Sequence, residues 1–166
     1  MDALAVFFAR ESGYLLIIFL FIFLLCRRNK KYRIMIGEAI LAAFLARFGI
    51  VSLIRLIFFR PRPFVNHQVN LLLAHQPDAS FPSGHAAFFF ALSLVVYIFN
   101  KKAGFLFLAV SSLMGFARVL GGIHYPSDIF GGILVGLFSA WFVTQYLRNY
   151  VCRISDRISK KISNDD

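Results

Sequence analysis

IMIGEAILAAFLARFGIVSLIRLIFF, residues Ile34–Phe59, is a run of 26 residues in which only Glu38, Arg47 and Arg55 carry charge. A hydrocarbon core about 30 Å thick takes on the order of 20 residues of apolar helix to cross. A helix apolar on all sides needs an apolar surround, so this run predicts a helix in lipid. Working outward, a span precedes it at Ser12–Cys26 and three follow at Ala86–Phe99, Ala103–Ala117 and Ile129–Leu147. The fourth is short unless it continues toward Leu120. The expectation is an all-α membrane protein, with about five transmembrane helices in one bundle and a single domain over residues 1–166. Composition agrees: 59% of residues are hydrophobic and 16% charged, with a mean hydropathy of +0.72. A soluble domain carries closer to about 25% charged residues.

The amphipathic stretch Ala3–Arg10 leads into the first span, which RRNKKYR (Arg27–Arg33) follows without a small-residue cleavage site. That pattern predicts a retained anchor rather than a signal peptide. Cys26 and Cys152 fall in or beside apolar or basic segments and suggest no disulfide framework. The net charge of +10 is not spread over a soluble face but gathered in short bursts between apolar runs. This argues against nucleic acid and for anionic lipid head groups as the partner. With five spans, Arg27–Arg33, Asn100–Lys102 and the tail from Arg148 share one side of the membrane. Together they hold twelve of the eighteen lysines and arginines. The positive-inside rule then puts the C-terminal tail, about residues 148–166, in the cytoplasm and the N-terminus outside. All four histidines, His67, His75, His85 and His124, lie in or beside the two connections left facing outward. Within the first of these, Val65–His75 is expected to form a short interfacial helix.

Three clusters at that outer face carry chemistry: Arg55-x6-Arg62-Pro63, Pro82-Ser83-Gly84-His85 and Arg118-x5-His124-x3-Asp128. Arginine offers a planar fork of donors that matches phosphate oxygens and keeps its charge, so Arg55, Arg62 and Arg118 are candidate phosphate ligands. Ser83 suits a helix N-cap, Pro126 suits a first helical turn, and helix N-termini present free N–H groups to an anion. Gly84 lets the backbone approach a ligand closely. His124 is suited to attack phosphorus, with Asp128 fixing its tautomer and stabilising the charged ring. His85 would protonate the leaving oxygen and later activate water.

These clusters resemble the type 2 phosphatidic acid phosphatase superfamily, whose pattern is K-x6-RP, PSGH and SR-x5-H-x3-D. The match runs over Arg55–Asp128. Arg55 stands where the family has lysine, which keeps the charge but changes the geometry. Ala117 stands where it has serine, so one hydroxyl contact to phosphate is missing. Within the superfamily, RPRPFVNHQVNLLLAHQPDASFPSGH (Arg60–His85) is similar to bacterial undecaprenyl-diphosphatases of the bacitracin-resistance type. The resemblance implies a helical plasma-membrane enzyme that needs no metal or other cofactor. It implies a phosphohistidine intermediate and hydrolysis of a lipid diphosphate on the extracytoplasmic side, in cell wall synthesis. Two other readings stay open: a lipid phosphatase acting on phosphatidate, phosphatidylglycerol phosphate or a broad mixture of lipid phosphates, and a small anion-binding transporter.

Other residues are read more plainly. Arg60 is expected to be an ordinary interfacial cation, and His67 and His75 structural or substrate-edge residues. Zinc lacks a compact ligand motif such as HExxH. Glu38 and Arg47, charged within a span, are expected each to contact a neighbouring helix. Gly132 and Gly136 form a G-x-x-x-G that predicts close packing of helices inside the fold rather than homodimerisation.

Overall fold

A computed structural model of the chain describes residues 7–8, 12–26, 29–66, 68–69, 76–147 and 149. Among these residues every regular element is helical. Helix α1 is Ser12–Cys26, and α2 runs over Lys30–Ile57 with a π-helical turn at Leu45–Ile50. The short α3 is Pro63–Asn66, α4 is Gly84–Phe99 and α5 is Lys101–Leu120. Helix α6 is Pro126–Phe142 and ends in a π-helical stretch, Val143–Leu147. Among the described residues, three helices are long and apolar enough to cross a membrane: α2 with 28 residues, α5 with 20, and α6 over the 21 residues Pro126–Tyr146. Helix α4 is apolar but shorter, at 16 residues.

Helices recur at the expected positions, α1 with the same ends and the others with ends shifted for local reasons. Asn29 caps α2 by accepting a hydrogen bond from the Lys31 amide at 3.1 Å, so the helix starts inside the basic segment. Asn100 caps α5 in the same way through Ala103, at 3.1 Å. At its other end α5 does continue to Leu120, the length a span requires. Proline at the first turn of α6 adds three residues ahead of Ile129. Of the interfacial helix expected over Val65–His75, only its first residues fall in α3. Residues 67 and 70–75, including His67 and His75, lie outside the described set, as do most of Ala3–Arg10, Cys152 and the basic tail.

Helix α4 is the centre of the bundle, packed against α2, α5 and α6. Its buried positions, from Gly84 to Val96, fall on nearly every face, as expected of a helix that meets protein rather than lipid all round. Gly132 and Gly136 on α6 let that helix ride against α4. A Cβ at Gly132 would overlap the Ser83 carbonyl and Ala86, and one at Gly136 would overlap the Ala87 carbonyl and the Ala91 amide. Small residues also line α2, where Ala39, Ala42, Ala43 and Ala46 are fully buried and the Ser139 hydroxyl donates to the Ala42 carbonyl at 2.7 Å. The Ser93 and Ser111 hydroxyls bond at 3.0 Å between α4 and α5. Large apolar side chains face outward instead, among them Leu53, Phe105, Phe116, Phe130 and Phe138. An apolar exterior over a core of small and polar contacts is the arrangement a bilayer demands.

Candidate active site

The C-terminal end of α2, the N-terminus of α4, the end of α5 and the start of α6 meet at one end of the bundle. All eight residues singled out from the three motifs belong to these elements or their junctions. Two helix starts are joined backbone to backbone, the Ser83 amide donating to the Asp128 carbonyl at 2.9 Å. Ser83 caps α4 as expected, its hydroxyl accepting from the Ala86 amide at 3.4 Å. Pro126 opens α6, and the Asp128 carboxylate reaches back to accept from the Tyr125 amide at 2.8 Å. The Phe81–Pro82 peptide between α3 and α4 is cis.

His124 is buried just ahead of α6. Its Nδ1 lies 3.5 Å from Asp128 Oδ2 and 3.3 Å from the Ser80 hydroxyl, while its Nε2 lies 3.3 Å from Arg62 Nη1. The carboxylate accepts, so Nδ1 carries the proton and Nε2 presents its lone pair toward the arginine side. Burial pushes the His124 pKa down to about 4, and the positive charges of Arg62 and Arg118 add to that. The hydrogen bond to Asp128 opposes them. The ring is therefore neutral, and Nε2 is free of a proton, throughout the ordinary pH range.

The arginines gather around it. Arg62, only 1% exposed, donates from Nη1 to the Ile123 carbonyl at 2.8 Å and from Nε to Asp78 Oδ1 at 2.7 Å. Arg55, in the last turn of α2, donates from Nε and Nη2 to the Pro82 carbonyl at 3.3 and 3.0 Å and from Nη1 to Asp78 Oδ2 at 3.4 Å. Arg118, buried in the last turn of α5, lies near enough to Arg62 and His124 for their charges to interact. Two buried or half-buried guanidinium groups tied to one half-exposed carboxylate form a cationic lining. His85 occupies the first turn of α4 and lines a cavity of about 240 Å³ with Gly84 and Arg47.

Three participants escaped the sequence reading. Asp78 bridges Arg55 and Arg62. Ser80, fully buried, donates to Asp128 Oδ2 and sits against His124 Nδ1. Arg60, expected to be an ordinary interfacial cation, instead donates to the buried Asp128 Oδ1 at 2.9 Å and to the Ser127 hydroxyl at 2.7 Å, its guanidinium 4.0 Å from the Tyr125 ring centroid. All three lie in the irregular segment between α2 and α4, where no periodicity shows which way a side chain turns. The only available signal was the acid in PDAS, one turn ahead of an arginine-rich cup. Among the described residues, no three His, Cys, Asp or Glu side chains are grouped as metal ligands would be.

Comparison with known proteins bears on the family of the chain. Residues 37–152 match the PAP2 superfamily. The chain is 33% identical to the bacitracin transport permease protein BcrC of Bacillus licheniformis, over 86% of this chain and 70% of that protein. It is 37% identical to the undecaprenyl-diphosphatase BcrC of Bacillus subtilis, over 67% of this chain and 61% of that one. The crystal structure of Aquifex aeolicus LpxE superposes with a TM-score of 0.73 at 31% identity, covering 87% of this chain and 86% of that one. With the match spanning every element that builds the site, this chain belongs to the PAP2 superfamily.

Proposed function

We propose that this protein is a metal-independent lipid-diphosphate phosphatase, acting on undecaprenyl diphosphate to release phosphate and leave undecaprenyl phosphate. The carrying observation is the orientation of His124: Nδ1 faces a buried carboxylate while Nε2 opens toward Arg62. The likeness to a protein named undecaprenyl-diphosphatase supports the choice of substrate.

In the first step Nε2 attacks the terminal phosphorus. An N–P bond forms, the P–O bond to the bridging oxygen breaks, and the bonding pair leaves on the lipid phosphate, which His85 protonates. Arg55, Arg62, Arg118, the Ser83 hydroxyl and the Gly84 N–H hold the transferred phosphoryl oxygens, whose charge shifts in the transition state. Asp128 stabilises the imidazole as it becomes cationic, and Ser80 and Arg60 hold Asp128 in place. In the second step water attacks phosphorus, His85 takes its proton, and the N–P bond breaks to return Nε2 to its starting state. Asp78 occupies the arginine forks between turnovers and yields them to phosphate. The reading places this site at the extracytoplasmic face of the plasma membrane.

The test uses purified protein in detergent with EDTA, supplied with undecaprenyl diphosphate or phosphatidate. Phosphate release from the diphosphate is expected with EDTA present, with vanadate inhibiting, and His124→Ala is expected to abolish both release and a trapped, acid-labile phosphoenzyme. Release that survives His124→Ala unchanged removes the nucleophile assigned here. Activity that collapses in EDTA and returns with a divalent ion removes the metal-free assignment.

A further inference from the structure

Arg47 has no place in the three motifs, yet it is a cation within an otherwise apolar stretch of α2, and such charges carry function or a specific partner. It sits in the π-helical turn Leu45–Ile50, an insertion that redirects side chains and recurs at functional sites. Its side chain crosses to the start of α4 and lies over Gly84, where any Cβ would overlap the guanidinium. Thus Arg55 touches the Pro82 carbonyl and Arg47 touches Gly84, two residues further along the same turn and nearer the middle of the bundle. Among the described residues, the Arg47 guanidinium makes no hydrogen bond or ion pair; besides Gly84 it lies beside the Phe48 ring, with the centroid at 5.9 Å. It is close enough to Asp78, Arg55, Arg62 and Arg118 for charges to couple, which places it at the margin of the cationic cup.

The space beside it is shaped for a charged head on an apolar chain. Arg47 and His85 furnish the polar end of the 240 Å³ cavity, and Ile17, Phe88 and Met114 the apolar remainder. A second cavity, about 390 Å³ and lined wholly by apolar residues, shares Ile17 and Phe88 with the first and continues between α1, α2 and α4. The histidine assigned to the leaving group, a guanidinium and an apolar slot thus adjoin one another, the two cavities sharing the walls formed by Ile17 and Phe88.

We infer that Arg47 binds the lipid-linked phosphate of a diphosphate substrate, the one that departs, while Arg55, Arg62 and Arg118 hold the phosphate that is transferred. The inference rests on the lipid-diphosphate reading above and adds its source of selectivity. A lipid diphosphate leaves as a phosphate monoester that gains negative charge as the bridging bond breaks, and a cation beside it stabilises that charge in the transition state. A lipid monophosphate leaves as an alcohol and places no phosphate at Arg47. Arg47 is thus a specificity-determining residue.

Farnesyl diphosphate and farnesyl monophosphate share one chain and differ only in the second phosphate. The experiment measures kcat/KM for phosphate release from each, in wild type, Arg47→Met and Arg47→Lys. Methionine keeps much of the apolar stem and removes a charge from among like charges, so folding is expected to survive it. The diphosphate-to-monophosphate ratio of kcat/KM should fall at least tenfold in Arg47→Met and recover in part in Arg47→Lys. A ratio within twofold of wild type in Arg47→Met overturns the inference, whichever way the absolute rates move. Should Arg47→Met not fold, Arg47→Gln replaces it under the same criterion. Wild type that releases phosphate from the monophosphate alone overturns the diphosphate reading, and this assignment with it; wild type active on both, with an unchanged variant ratio, overturns only the assignment.

Discussion

Burial and two neighbouring arginines hold the His124 pKa near 4, below its ordinary 6.5, and this has consequences on both stability and rate. The unfolded chain takes up a proton at this histidine first as pH falls. The folded state therefore keeps this contribution above about 6.5 and loses it between about 6.5 and 4. The His124 ring in the folded protein, by contrast, stays unprotonated down to about pH 4. The acid limb of kcat/KM, corrected for the substrate's own titration, is expected near 4, because that profile reports the free enzyme. Asp128→Asn removes an interaction that raises this pKa, so it should move the limb lower still while cutting kcat by about 10²–10⁴-fold. A limb that stays near 6.5 in both proteins would contradict the assignment of His124. At this scale the motif residues were legible because phosphate chemistry restricts side-chain type: charged forks, a nucleophile, an acid. Arg60 was misjudged because charge alone does not say what a guanidinium will touch. Two residues before Arg62, it turns inward to the buried Asp128 rather than outward to head groups.

At the scale of elements, the length and hydropathy of the apolar runs revealed where α2, α4, α5 and α6 lie, and caps such as Asn29 and Asn100 moved their ends. The G-x-x-x-G was read as a packing device, and the contacts of Gly132 and Gly136 with α4 bear that out. Gly136 is set against the Ala87 carbonyl and the Ala91 amide, backbone atoms that cannot rotate aside as a side chain can. Gly136→Val is accordingly expected to cost about 1–3 kcal/mol of stability through overpacking. A thermal-melting series in detergent would measure this, and an unchanged midpoint would contradict the close approach of α4 and α6. The π-turn at Leu45–Ile50 had no such signature. A π-insertion leaves hydropathy unchanged and shows only in which way Arg47 is aimed.

At the scale of the molecule, the helical class and the membrane setting were plain from composition, since a chain with 59% hydrophobic residues cannot hide them in a core of this size. The segment between α2 and α4 was not plain, because its side chains answer to partners distant in sequence. The proposed orientation of the bundle rests on lysine and arginine placement alone and is open to direct measurement. In a cysteine-free background, Gln76→Cys should react with a membrane-impermeant maleimide in intact cells, and Lys102→Cys only after permeabilisation. The reverse pattern would turn the site toward the cytoplasm. One bond described above bears on how such an enzyme tolerates change. The link from the Ser83 amide to the Asp128 carbonyl involves no side-chain atom, so among simple substitutions only proline at position 83 deletes it. Descendants of this sequence are thus free to retune the chemistry on either helix while the spacing of the two histidine-bearing segments is inherited from the main chain itself.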